Sequence, residues 1–151
     1  MEIKRTTYST IMQLREGFLD EVNIQFVLDK CYRYGWADTY VFRINDKLVG
    51  YGSVWGKEKR EDRDTIFEFY VIRQQRELSE QIFLNFCNSS NAPYIECQTN
   101  DTFLYPHFKK YTHNVVTDAI LFADHHSTNF QVSDVHLQKR DSRILMIIIT
   151  Y

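Results

Sequence analysis

Between Thr65 and Thr99 the chain sets two arginines, Arg73 and Arg76, where an extended segment gives way to an amphipathic one. Thr65-Ile66-Phe67-Glu68-Phe69-Tyr70-Val71-Ile72 is rich in β-branched and aromatic residues and predicts a strand. Leu78, Ile82, Phe83, Phe86 and Cys87 then recur on one helical face. The turn formers of Asn88–Pro93 follow, and Tyr94–Thr99 predicts another strand. A strand-loop-helix unit aims the helix N-terminal N–H groups beyond the strand, which suits an anion, and the two guanidiniums add charge there. A solvated entry into a surface helix has the same composition. This segment alone leaves both readings open.

The chain has 151 residues, the length of one ordinary domain, and is 44% hydrophobic and 15% aromatic, enough for a substantial core. A net charge of −2 without a long basic face argues against nucleic-acid binding. Cys31, Cys87 and Cys97 are widely spaced within apolar segments, the pattern of reduced, buried thiols in a cytoplasmic protein. Met1–Arg5 lacks the apolar core of a signal peptide, and the run Ile144–Ile149 is too short to cross a bilayer. No metal site is expected. His125 and His126 are adjacent in a turn segment, with no third ligand spaced to join them.

The remaining elements follow from periodicity. Glu2–Thr7 predicts a strand, and Thr10 with Gln13 a capping box ahead of the stripe Ile11, Leu14, Phe18, Leu19 and Val22. Asn23 is a cap for a second helix carrying Ile24, Val27, Leu28 and Cys31 inward and stopping at Gly35. Thr39–Ile44 and Lys47–Trp55 form a hairpin about Asn45-Asp46. Gly50 and Gly52, inside the second of these strands, predict a bulge or the close approach of another group. After Thr99 a short helix is expected near Pro106, then strands over Val115–Asp124 and Phe130–Gln138. The order β-α-α-β-β-β-α-β-α-β-β calls for an α+β (α/β) architecture, a mixed, mostly antiparallel sheet with helices on both faces. The single helical crossover makes Thr65–Ile72 and Tyr94–Thr99 parallel, and these two strands are expected to splay at their C-terminal ends.

That order resembles the GNAT superfamily of acetyl-coenzyme A-dependent acyltransferases over Glu2 to about Gln138. Leu48-Val49-Gly50-Tyr51-Gly52-Ser53-Val54 resembles its third strand. Phe67-Glu68-Phe69-Tyr70-Val71 resembles its fourth, whose backbone pairs with the cofactor's pantetheine arm, and Asn100–Tyr111 resembles the helix before its sixth strand. The resemblance implies acetyl-CoA as cofactor, held by Val71, Ile72, Arg73 and Arg76, with Tyr105 as acid (Tyr111 second) and Glu68 as base (Glu96 second). The family's Arg/Gln-x-x-Gly-x-Gly/Ala loop is matched here by Arg76-Glu77-Leu78-Ser79-Glu80-Gln81, which keeps the arginine and lacks both glycines. A loop wrapped closely on pyrophosphate has no room for a Cβ, and Glu77 and Glu80 would oppose the phosphates by about 1–4 kcal/mol.

The expectation is therefore a GNAT-like domain, residues 1–140, with a degenerate pyrophosphate loop, acting as a supporting or binding half and resembling the N-terminal half of a tandem protein. Residues 141–151 form an apolar segment that reads as the start of a missing second domain. Its partner would be that second GNAT domain or a second copy of the chain, with neither nucleic acid nor membrane. The alternatives are an active N-acetyltransferase and a small-molecule sensor without chemistry.

Overall fold

The computed structural model describes residues 1–24, 27–56, 58–117 and the backbone of 148–150. The elements are β1 (Glu2–Thr6), α1 (Tyr8–Glu21), α2 (Asp29–Arg33), β2 (Ala37–Ile44), β3 (Lys47–Trp55), β4 (Thr65–Val71), a 3-10 helix (Arg73–Leu78), α3 (Ser79–Ser90), β5 (Tyr94–Ile95), α4 (Leu104–Tyr111), β6 (Asn114–Val116) and β7 (Ile148–Thr150). Among the described residues these strands form one sheet in the order β1-β2-β3-β4-β5-β7-β6. No helix among them is long and apolar enough to cross a membrane.

Several boundaries differ from expectation. Thr7, not Thr10, occupies the N-cap of α1, because the Thr10 N–H already bonds the Thr7 carbonyl at 3.1 Å. The second helix begins at Asp29 rather than after Asn23, and Gly35 closes it at φ +68°. α4 begins two residues before Pro106, which the first turn of a helix tolerates because its N–H has no partner there. Asp101 Oδ1 accepts the Phe103 and Leu104 N–H groups at 2.8 and 2.9 Å and so caps that turn. β6 starts the strand expected over Val115–Asp124; its continuation, Phe130–Gln138 and both adjacent histidines lie outside the described residues. From the apolar segment expected over 141–151, Ile148–Thr150 pairs between β5 and β6 in this same sheet.

The sheet is mostly antiparallel, with helices on both faces. β4 and β5 form the parallel pair, in register at Thr65↔Tyr94 and Ile66↔Ile95. Their last bond runs from the Glu96 N–H to the Ile66 carbonyl at 2.8 Å, and beyond it the two strands part. Just past that point the β3–β4 register slips, Ser53 facing Glu68 and Val54 facing Ile66, so Phe67 is the extra residue of a bulge. The bulge resets the alternation. Ile66, Phe69 and Val71 enter the core beneath α3 and α4 with Phe83, Phe86 and Leu104, while Tyr70 packs with Ile11 and Phe18 of α1. Phe67 packs beside α2 with Leu28 and Cys31.

Gly52 shows the close approach expected of it. A Cβ there would stand 2.5 Å from the edge of the buried Phe86 ring of α3. Gly52→Ala should therefore cost about 1–3 kcal/mol by overpacking, read as a lower urea midpoint with an unchanged slope. An unchanged midpoint would mean that α3 does not seat on β3 in this way.

Candidate functional site

Beyond the C-terminal end of β4 lies a cleft of about 540 Å³ lined by Glu21, Arg76, Glu77, Ser79, Glu80, Thr102, Phe103, Pro106 and His107. It lies where α1 ends, the 3-10 helix passes into α3, and the chain enters α4. Its lining carries three carboxylates and one guanidinium, of which Glu21 pairs with Arg76. Arg76 is held on three sides: Nε donates to the Val71 carbonyl at 3.2 Å, Nη2 to Glu21 at 2.5 Å, and the guanidinium lies 4.8 Å from the Phe103 ring centre. Glu21 accepts a further hydrogen bond from the Tyr70 hydroxyl at 2.7 Å. The Arg76 and Tyr70 hydrogen bonds hold its carboxyl below the usual carboxylate range. Glu80 accepts from Lys110 and Tyr111, which likewise hold its carboxyl below the usual carboxylate range.

The four residues expected to hold acetyl-CoA lie together, and two of them, Ile72 and Arg76, already donate to groups of the protein. The Ile72 N–H donates to the Val49 carbonyl at 2.9 Å, and the Ile72 carbonyl accepts from the Gln75 N–H at 2.9 Å. From Arg73 the chain winds a 3-10 helix whose i→i+3 bonds use amides of the first half of the matched motif, Arg76–Leu78, and the Ser79 N–H bonds the Arg76 carbonyl. The residues present do not fit a pyrophosphate bound in the family's manner. The matched segment lacks the glycines that would let a backbone approach an anion closely.

Glu68 lies elsewhere. Its side chain points to the α1 face, is 3% exposed, and accepts from Arg15 Nε and Nη2 at 3.0 Å each. The Tyr32 and Tyr51 hydroxyls donate to it at 2.6 and 2.8 Å. Arg15 also reaches Asp29 at 2.6 Å and lies over the Tyr32 ring, and the carboxylates hold its guanidinium protonated even more firmly than usual. A carboxylate offers about four lone-pair positions. Here they are occupied, leaving no acceptor turned toward a substrate amine. Glu96 is buried as well and accepts from Trp55 Nε1 at 3.0 Å.

On α4, Tyr105 stacks on Phe108 at 5.6 Å and lies beside Lys109. It is outside the cleft wall. Phe103 and His107 line the cleft, and a residue two positions from each falls roughly 200° round the helix. The α4 residues that line the cleft are Pro106 and His107, and His107 is 8% exposed. It stacks on Phe83 at 4.5 Å and shares a 3.0 Å hydrogen bond with the Ser79 hydroxyl. Arg15, Glu21, Tyr32 and His107 were not singled out by sequence. For Arg15 a signal existed, since it falls four residues after Ile11 and three before Phe18, on the buried stripe of α1.

Two buried groups give the fold opposed pH dependences. Burial pushes the His107 imidazole down to about 4 from 6.5. Burial, against the two N–H bonds it accepts, pushes the Asp101 carboxyl up to about 6 from 3.8. Between these values the unfolded chain binds a proton at His107 that the folded chain lacks, so acidification destabilises. At Asp101 the folded chain binds the extra proton, so acidification stabilises. Each is worth up to about 3 kcal/mol over its window. Urea titrations at about pH 7 and about pH 4.5 should show His107→Phe losing less stability than the parent on acidification, and Asp101→Asn losing more. Parallel profiles for all three would overturn the assignment.

No protein-family model matches the sequence, and no curated protein matches it. Solved structures do match in shape. An acetyltransferase from the GNAT family from Colwellia psychrerythraea superposes with a TM-score of 0.59 at 15% identity, over 88% of this chain. The chain spans about half that protein, 52% of its length. An IAA acetyltransferase from Bacillus cereus gives 0.54 at 11% identity, over 98% of this chain and 95% of that one. A ribosomal-protein-alanine N-acetyltransferase from Brucella melitensis gives 0.51 at 12% identity, over 100% and 99%. With its bulged β4, its parting β4 and β5 and its helices on both faces, the chain has the fold of the GNAT acetyltransferases.

Proposed function

We propose that this GNAT-like domain has given up the usual acetyl-CoA site and serves as a supporting or binding half. The observation that carries this reading is the 3-10 helix over Arg73–Leu78, which uses within itself amides of the first half of the matched motif. Three further features agree with it. Arg76 is paired with Glu21, Glu77 adds negative charge to the cleft, and Glu68 is engaged by Arg15, Tyr32 and Tyr51. The partner of such a half is a second domain of the same fold or a second copy of the chain. The half-length match to the Colwellia protein accords with the former. The setting is the cytoplasm, in keeping with the reduced thiols of Cys31 and Cys97 and with Cys31 pushed up to about 11 by burial.

A second reading, an active N-acetyltransferase, is favoured by the gap that opens between β4 and β5 after Ile66, where an extended cofactor arm could enter. Titration calorimetry with coenzyme A separates the two. The supporting-half reading expects no heat at millimolar ligand. Low-micromolar affinity that Arg76→Ala weakens about ten- to a hundredfold would restore the enzyme.

The same reading makes Glu68 structural. Arg15→Met should destabilise the fold by about 3–5 kcal/mol, because it leaves a buried carboxylate without its counter-charge. Arg15→Met with Glu68→Leu should recover much of that loss, both read by urea titration. If Arg15→Met were as stable as the parent, Glu68 would have to be free to serve another group.

A further inference from the structure

We propose that Glu21 is a built-in anion occupying a phosphate subsite made by Arg76 and Tyr70, and that it decides which ligands the cleft accepts. The proposal rests on the supporting-half reading, which it deepens by naming the contact that excludes phosphate. The donors come from different elements. Tyr70 belongs to β4 and gives its hydroxyl to Glu21 Oε1 at 2.7 Å, while Arg76 follows β4 and gives Nη2 to Oε2 at 2.5 Å. A phosphoryl group with two terminal oxygens could take both donors as this carboxylate does. The guanidinium is fixed independently of Glu21, through Nε on the Val71 carbonyl and by the face of Phe103. The donors therefore remain aimed when the carboxylate leaves.

The occupant is held less firmly than the site. Glu21 is the last residue of α1, and its side chain is 36% exposed, so it can rotate into water and an incoming anion has only a screened pair to displace. While it stays, it offsets the Arg76 charge at that end of the cleft. The carboxylate of Glu77 adds a further negative charge to the lining. Removing the Glu21 charge would leave the Arg76 guanidinium uncompensated there, still fixed by Val71 and Phe103. The ligand class is a phosphomonoester or pyrophosphate group.

The test is calorimetric titration of the full chain with inorganic pyrophosphate, and separately with coenzyme A, at low salt. Glu21→Gln should bind pyrophosphate at least about tenfold more tightly than the parent, the effect of one opposing unit charge a few ångströms away. Glu21→Ala should do the same, and circular dichroism should show both variants folded. Adding Arg76→Ala to Glu21→Gln should abolish the gain. Equal pyrophosphate affinity in the parent and both Glu21 variants would overturn the proposal and leave the supporting-half reading standing. A gain insensitive to Arg76→Ala would overturn it too, since the anion would then bind elsewhere. Low-micromolar coenzyme A binding by the parent would instead overturn the supporting-half reading, and with it the claim that Glu21 closes the site.

Discussion

A guanidinium and a carboxylate, both almost wholly out of water, meet where α1 and α2 press on the middle of the sheet. Removing two charges from water costs several kcal/mol per ion, and only close geometry with further hydrogen bonds offsets it. The Arg15–Glu68 pair has both. Tyr32, Tyr51 and Asp29 complete its hydrogen bonds, and Tyr32 also bonds Ser53 at 2.8 Å. Helix α1, the short helix α2 and strands β3 and β4 thus share one polar knot. None of its members can move without stranding another, so it sets where α1 lies on the sheet. Through α1 it also sets where Glu21 reaches the end of β4.

The knot depends in turn on a backbone irregularity. The extra residue at Phe67 shifts the alternation of β4, so Glu68 faces α1 while Phe69 enters the opposite core. Without that shift, residues 66 and 69 could not share a face, and the aromatic cluster of Phe42, Phe69, Phe83 and Phe86 would lose its central ring. The bulge comes just after the last bond between β4 and β5. Bulge and parting together expose the far end of β4 to whatever approaches from α3 and α4.

At that end the chain enters α3 through a 3-10 helix. A glycine-bearing loop would leave amides open to an anion, whereas Arg73–Leu78 closes on itself and turns the Arg76 side chain back onto Val71. The cleft that results is shaped by side chains. Its positive group is countered from within the protein, and its aromatic wall, Phe103 with His107, belongs to the entry of α4. Burial keeps His107 neutral at ordinary pH, consistent with its stacking on Phe83.

Local information determined a good deal. Hydrophobic period located most strands and the helical stripes, and the single crossover from β4 to β5 dictated parallel pairing. Asn45 and Asp46 predicted the hairpin, and both take the positive φ, +49° and +63°, that its tight turn requires. Gly52 announced a close approach without saying to what. The loss of the loop glycines was likewise legible, because glycine is needed for a backbone reason that a sequence states directly. Tertiary structure decided what each polar side chain faces. Glu68 could be placed on β4 from the sequence, but a bulge one residue earlier settled its face, and bulges leave no periodic mark. Arg15 looked like an ordinary helix charge until Glu68, Tyr32 and Asp29 converged on it from elements 14 to 53 residues away. Tyr105 lay at the right distance along the chain for a site residue, yet α4, starting at Leu104, turns Pro106 and His107 to the cleft. Helical phase follows from where the first turn is capped, and Asp101 sets that cap through a side-chain contact no pattern of hydrophobicity encodes.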